Sequence, residues 1–268
     1  TRAQPTPPAY STGFEHAATL RAARGETVTL TAPTYVNPYD VADRMADFSG
    51  QGPTDVDFRV KPDVVAPGEN VLSAIPRSYC GGDPCFAFFG GTSMATPHLA
   101  GAAAILRQQH PTWPAWAIRS AIVNTADVGV LTKWNAPATL DTDVNSTGAG
   151  RLNLESAAEA VALLDPVSIS FGSVPAGSGQ TRTFTATILN GGSSGATFTL
   201  AIAAYGPSSG VTFSLDTPSV TLAAGQSATF VVTATFVKGA SFGSKQAWRT
   251  VSEGGSMVAH AAVYAFVK

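Results

Sequence analysis

Between residues 166 and 268 several runs of apolar and polar positions alternate with a period of two. Val167, Ile169 and Phe171 alternate with Ser168 and Ser170, and Phe184, Ala186 and Ile188 alternate with Thr183, Thr185 and Thr187. Ala196, Phe198, Leu200 and Ile202 repeat the pattern, as do Phe230, Val232, Ala234 and Phe236. Such runs, separated by Gly, Pro and Ser clusters, predict half-buried strands of an all-β antiparallel sandwich. Glu253, Gly254 and Gly255 read as the turn of a final hairpin.

Residues 33–165 have a different texture of loops, short strands and helices. The segment from Ser93 to Gln109 is apolar on nearly all sides up to Leu106, which predicts a buried helix with neighbours close to its backbone. A second helix fits Pro114 to Thr125, with proline in its first turn. A third fits Leu154 to Leu164, with Asn153 as N-cap and Glu155 near the positive end of the helix dipole. Phe86, Phe88 and Phe89 predict a buried strand, and Trp113, Trp116 and Trp134 read as core or helix-packing residues. Residues 1–32 begin with a Pro-rich stretch, then predict a short helix from Ser11 to Arg24, a stop at Gly25 and a strand from Thr27 to Ala32. The sharpest change of texture falls at Asp165–Pro166.

Composition narrows the class. Of 268 residues, 44% are hydrophobic and 13% charged, which fits a globular chain. A formal net charge of −2 gives no electrostatic reason for a nucleic acid or an anionic membrane as partner, and no apolar run is long enough to span a bilayer. The first residue is Thr1 rather than methionine, so the chain reads as processed or cut from something longer. Low charge with abundant Gly, Ser and Thr points to a secreted, extracellular protein. Cys80 and Cys85 enclose Gly81, Gly82, Asp83 and Pro84, a turn that could bring the two sulfurs together. A disulfide is favoured over two free thiols in a secreted chain, and two cysteines alone cannot complete a four-ligand zinc site.

The chemistry concentrates in Gly91-Thr92-Ser93-Met94-Ala95-Thr96-Pro97-His98-Leu99-Ala100-Gly101. Gly90 and Gly91 permit close backbone approach, and Ser93 sits where a helix begins. Helix N-termini offer unpaired N–H groups and partial positive charge, which suit an oxyanion formed when a serine attacks a carbonyl. A serine before a helix is more often merely an N-cap. The run as a whole, however, resembles the nucleophile motif of the subtilase family. Phe48-Ser49-Gly50-Gln51-Gly52-Pro53, Lys61-Pro62-Asp63-Val64-Val65-Ala66-Pro67-Gly68, Ile118-Arg119-Ser120-Ala121 with Thr125-Ala126, and Gly148-Ala149-Gly150-Arg151-Leu152-Asn153 are similar to further blocks of that family. Gly50 and Gln51 depart from its pattern.

The resemblance implies a fold and a division of the chain. Residues 33–165 would be the C-terminal half of an α/β catalytic domain, a parallel sheet with buried helices. Residues 1–32 would be the end of a protease-associated-domain insertion, and residues 166–268 a fibronectin-III-like β-sandwich. It also implies a serine endopeptidase acting on polypeptides through an acyl-enzyme. Ser93 would be the nucleophile and its backbone N–H one oxyanion donor. No cofactor is required, no metal ligands are assigned, and structural calcium is possible by family resemblance.

The family's aspartate, histidine and oxyanion asparagine lie in motifs upstream of the serine, and no His-Gly-Thr-His or Asp-Thr-Gly block occurs here. His98 follows Ser93 by about 140° around the same helix, so the two side chains diverge. His110 closes that helix, and His16 and His260 lie in the flanking segments, so none reads as the base. The isolated chain is therefore expected to be inactive. Its partner would be the N-terminal part of the catalytic domain, in the same chain or in a separate one as in a nicked enzyme. Two alternatives are a packing or adhesion module without catalysis and an N-terminal nucleophile at Thr1. Asp55, Asp57 and Asp63 match no metal-ligand spacing and read as solvated or capping carboxylates. Met94, if exposed, would be open to sulfoxide formation.

Overall fold

A computed structural model describes residues 17–22, 42–80, 82, 85–206 and 208–268. The chain divides into two compact units, one of residues 1–41 and 74–87 and one of residues 42–73 and 88–268. Within the first, helix α1 (Ala17–Ala22) is the described part of the helix expected from Ser11 to Arg24. The strand expected from Thr27 to Ala32 lies outside the described residues. A single 3₁₀ turn, Arg77–Tyr79, precedes a disulfide between Cys80 and Cys85, whose Cα atoms stand 5.6 Å apart. Ile75 N–H donates to Cys85 C=O at 3.0 Å and closes this loop.

Strands β1 (Val71–Ala74) and β2 (Phe86–Phe89) form a two-stranded sheet that leads to helix α2 (Thr92–Gln109). Helix α3 (Ala115–Asn124) packs on α2 and begins at Pro114, whose missing N–H costs nothing at a helix start. Strands β3 (Thr132–Lys133) and β4 (Ala136–Leu140) make a small hairpin. Helix α4 (Val144–Thr147) is capped by Asp143, whose side chain accepts from Asn145 N–H at 2.9 Å. Helix α5 (Leu154–Ala158) is capped as expected by Asn153, which accepts from Ser156 N–H at 3.0 Å.

The remaining strands form two larger sheets. β5 (Ala162–Asp165), β7 (Gln180–Asn190), β11 (Ser227–Phe236) and β9 (Val211–Leu215) make a four-stranded sheet in the order β5-β7-β11-β9. β10 (Ser219–Leu222), β8 (Ala196–Tyr205), β12 (Gly243–Glu253), β13 (Ser256–Val267) and β6 (Ile169–Val174) make a five-stranded sheet in the order β10-β8-β12-β13-β6. All their pairings are antiparallel except β13 with β6. One core draws Ala186, Ile188, Phe230, Val232 and Ala234 from the first sheet and Phe198, Ala247, Val251, Ala261 and Val263 from the second. The turn between β12 and β13 is Gly254-Gly255, as its sequence predicts.

Strand β13 is buried on both faces. Its odd positions from Ala259 to Val267 enter that core. Its even positions Ala262 and Tyr264 pack against Val60 and Val144, with Trp248, Phe58 and Phe266 around them. Polar contacts follow the same seam: Gln246 Oε1 accepts from Val144 N–H at 3.2 Å, and Gln246 Nε2 donates to Asp143 Oδ1 at 2.6 Å.

Several sequence expectations are corrected. The helix expected over Leu154–Leu164 ends at Ala158, and Ala162–Asp165 is instead strand β5, paired with β7 from Ala162↔Asn190 to Asp165↔Thr187. A short apolar run satisfies either periodicity, and here an available sheet edge decides it. The sandwich expected to be antiparallel includes the parallel β13–β6 pair. Outside the two large sheets the described residues form only two-stranded sheets, so the implied parallel catalytic sheet is not among them. Phe86, Phe88 and Phe89 do form a strand, but all three are exposed, as is Trp134. Trp113 is buried and Trp116 packs beside it, as expected. Helix α2, expected to be buried, buries only Ala102 and Leu106.

Candidate active site

The Ser93 motif is held by a close backbone crossing. Gly91 N–H donates to Gly68 C=O at 2.7 Å. A Cβ on Gly68 would stand 3.1 Å from Gly91 O, tighter than most real contacts, so this approach uses the missing side chain. Gly91 lies at φ 147°, a backbone region that L side chains rarely adopt, and serves as the N-cap of α2. Ser93 is thus not the cap. It stands in the first helical turn, exposed to solvent, and no hydrogen bond ties its hydroxyl among the described residues. Met94 N–H turns back to Gly91 C=O at 2.9 Å. First-turn amides of a helix lack intrahelical acceptors, so this is a position of partial positive charge.

Pro97 sits inside α2 and has no N–H for the carbonyl of Ser93, four residues before it. Thr96 Oγ1 donates to Thr92 C=O at 2.9 Å, and the His98 ring bonds Met94 C=O through Nδ1 at 2.8 Å. His98 is therefore tied along its own helix. His110 ends α2, stacks on Trp113 at 3.7 Å between ring centroids, and places Nε2 3.1 Å from Ala158 C=O. His260 is buried and donates from Nε2 to Ala149 C=O at 2.8 Å, with its ring edge-on to Trp248. Burial lowers its pKa below 6.5, although the Ala149 carbonyl and Asp127 pull the other way. Each of the three described histidines thus holds a main-chain carbonyl, and none is bonded to Ser93. His16 lies outside the described residues.

Behind the motif, the blocks that the sequence singled out come together. A Cβ on Gly148, at φ 59°, would lie 2.5 Å from the backbone of Asp63, so this loop passes directly over the Lys61–Gly68 block. Val65 N–H donates to Gly150 C=O at 2.9 Å, and Leu152 N–H to Val65 C=O at 2.8 Å. Arg151 ties Asp127 at 2.6 Å and Asp43 at 2.5 Å. Burial works against ionisation of Asp127, but hydrogen bonds from Asn153 and Arg151 outweigh it and hold the carboxyl below its usual range.

A buried polar chain missed by the sequence reading links α3 to the sheets. Leu164 N–H donates to Ser120 Oγ at 2.6 Å, Ser120 Oγ donates to Asn124 Oδ1 at 2.8 Å, and Asn124 Nδ2 donates to Val167 C=O and His260 C=O, both at 2.8 Å. The only signal was polar residues on the inward face of an apolar helix.

Asp63 pairs with Lys61 and Arg119, Asp57 pairs with Arg59, and Asp55 is exposed. Among the described residues no group of three or more His, Cys, Asp or Glu stands close enough to hold a metal. Met94 is half-buried. A groove of about 470 Å³ opens between α2 and α3, lined by Val64, Leu99, Ala103, Ile118 and Ile122, with Arg107 and Arg119 at its edge. No helix of the described residues is long and apolar enough to cross a membrane.

The model of the Subtilase family matches residues 18–155. The chain is 38% identical over 168 residues to Minor extracellular protease Vpr of Bacillus subtilis, a match covering 60% of this chain and 19% of that protein. It is 38% identical over 124 residues to Subtilisin-like protease SBT3.11 of Arabidopsis thaliana, covering 44% of this chain and 16% of the relative. Over 87 residues it is 48% identical to Subtilisin-like protease SBT3.17 of the same plant, covering 32% and 11%. The chain thus spans less than a fifth of the length of these relatives.

Proposed function

The chain belongs to the subtilase family, and from that premise we propose that it supplies the nucleophile of a secreted serine endopeptidase acting on polypeptide substrates. The observation that carries this reading is Ser93 itself: exposed in the first turn of α2, with no hydrogen bond to its hydroxyl among the described residues. Ser93 Oγ attacks the scissile carbonyl, and Ser93 N–H donates one hydrogen bond to the oxyanion. A base must take the serine proton within hydrogen-bond reach, and the described histidines are committed elsewhere. The aspartate, the histidine and the oxyanion asparagine therefore come from an N-terminal part of the catalytic domain, in the same chain or a separate one. The exposed apolar residues of α2 and β2 are the surface that such a part would cover.

On this reading residues 33–165 are the C-terminal half of the α/β catalytic domain, residues 166–268 a fibronectin-III-like sandwich, and residues 1–32 the end of a protease-associated insertion. The extracellular assignment leans on the Cys80–Cys85 disulfide and on the name of the Bacillus relative. The chemistry needs no cofactor.

A fluorophosphonate probe tests the assignment. It should label Ser93 in the complete enzyme and leave the isolated chain unmodified, because loss of triad function costs roughly 10⁴–10⁶-fold. Prompt labelling of the isolated chain, lost in Ser93→Ala, would reveal a base within it. A complete enzyme still active with Ser93→Ala would sink the proposal.

A further inference from the structure

The core-facing side of β12 is unusual in composition. Lys245, Ala247, Arg249 and Val251 alternate onto one face, all buried, and Ala247 and Val251 are members of the core between the two large sheets. Arg249 is wholly inaccessible to solvent. Its guanidinium carbon lies 5.2 Å from the ring centroid of Phe230 on β11, in the facing sheet. Nη2 donates to Pro166 C=O at 3.2 Å, while Nε and Nη1 have no acceptor among the described residues.

No carboxylate among the described residues answers this charge. Residues 166–268 hold only two acidic side chains, Asp216 and Glu253. Asp216 is exposed and accepts from Val231 N–H, and Glu253 ends β12 at the hairpin turn. Asp165, beside Pro166, is exposed at the end of β5. The ion pairs among the described residues join Asp57, Asp63, Asp43 and Asp127 to other cations. Burial lowers the pKa of Arg249 to about 10, which still leaves it protonated at neutral pH. A buried cation facing one carbonyl and one ring face keeps most of its desolvation penalty. Water could fill the free donors but would leave the charge uncompensated.

We propose that Arg249 binds a small monovalent anion, chloride in ordinary media, against its free N–H groups inside the core between the two sheets. The anion supplies the acceptor and the countercharge together. Because it binds only the folded protein, it stabilises the fold by mass action.

The test uses the full chain. Its thermal midpoint is compared in sodium chloride and sodium gluconate at equal ionic strength, about 0.15 M, for the wild type and for Arg249→Met. The wild type should melt higher in chloride by about 3 °C or more, and the variant should not distinguish the salts. Crystals grown with bromide should show an anomalous peak within about 3.5 Å of the guanidinium. A chloride dependence that survives in Arg249→Met overturns the proposal, as does density containing only water with no anomalous signal. If Arg249→Met fails to fold, the bromide peak in the wild type decides alone, present for the proposal and absent against it.

Discussion

Helix α2 and strand β13 are both long and largely apolar, and they meet opposite fates. From Ala259 to Ala265 every residue of β13 is buried, because the facing sheet covers one side and Val60 and Val144 cover the other. Helix α2 has α3 and α5 against one side, and elsewhere leaves Ala100, Gly101, Ala104 and Ile105 exposed. Apolar sequence states a demand for cover. Whether it is met depends on what the rest of the chain provides, at about 2 kcal/mol for each large aliphatic side chain buried. In β13 the demand is met within 268 residues; in α2 it is met only in part.

The comparison can be broken by placing one charge in each element. Val263→Asp should cost at least about 4 kcal/mol in urea unfolding, because a carboxylate there has neither water nor partner. Ile105→Asp, at a residue 44% exposed, should change stability of the isolated chain by no more than about 0.5 kcal/mol. Equal effects would show that α2 is covered after all. Next in size is Asn124→Ala, which strands the Val167 and His260 carbonyls and Ser120 Oγ. A loss of about 2–4 kcal/mol is expected, and a loss under about 0.5 kcal/mol would mean that the seam between α3 and β13 rests on packing alone.

A smaller, pH-dependent effect belongs to His260. Its folded pKa lies below the ordinary 6.5, so the unfolded chain binds the proton more readily. The contribution is whole above about pH 6.5 and is lost as pH falls through the folded value. Unfolding midpoints in urea, measured between neutral and mildly acidic pH, should drop more steeply for the wild type than for His260→Gln. Parallel profiles would remove His260 as the cause. The smallest effect is Asn153→Ala, which removes the cap of α5 and should cost about 1 kcal/mol; an unchanged melting midpoint would show that Asp127 and Arg151 hold that turn without it.

Legibility in the sequence followed the same divide. Local signals were readable: Pro114 and Asn153 mark helix starts, and Gly254-Gly255 marks a turn, because each acts through its own backbone. Strand β13 carries no alternation, since burial on both faces erases it, and its Ala-rich run says nothing of a partner. Ala162–Asp165 reads as helix in the sequence because its pairing partner on β7 lies 22 to 28 residues later. The serine motif was legible as a block of sequence. The Ser120–Asn124–His260 chain was not, because it joins residues 136 positions apart and each alone is an ordinary polar residue.

The two-sided burial of β13 also sets an order of events in time. β6 pairs in parallel with β13 across more than ninety residues, and Val60 waits for Tyr264. Contacts so distant along the chain close late and make folding slow. On a ribosome, the helices behind Ser93 would remain without their seam until residue 267 had emerged. A product cut short before that point would carry the nucleophile motif on an unassembled scaffold, which cellular proteolysis removes. The seam on α3 therefore depends on a strand made 136 residues after Asn124.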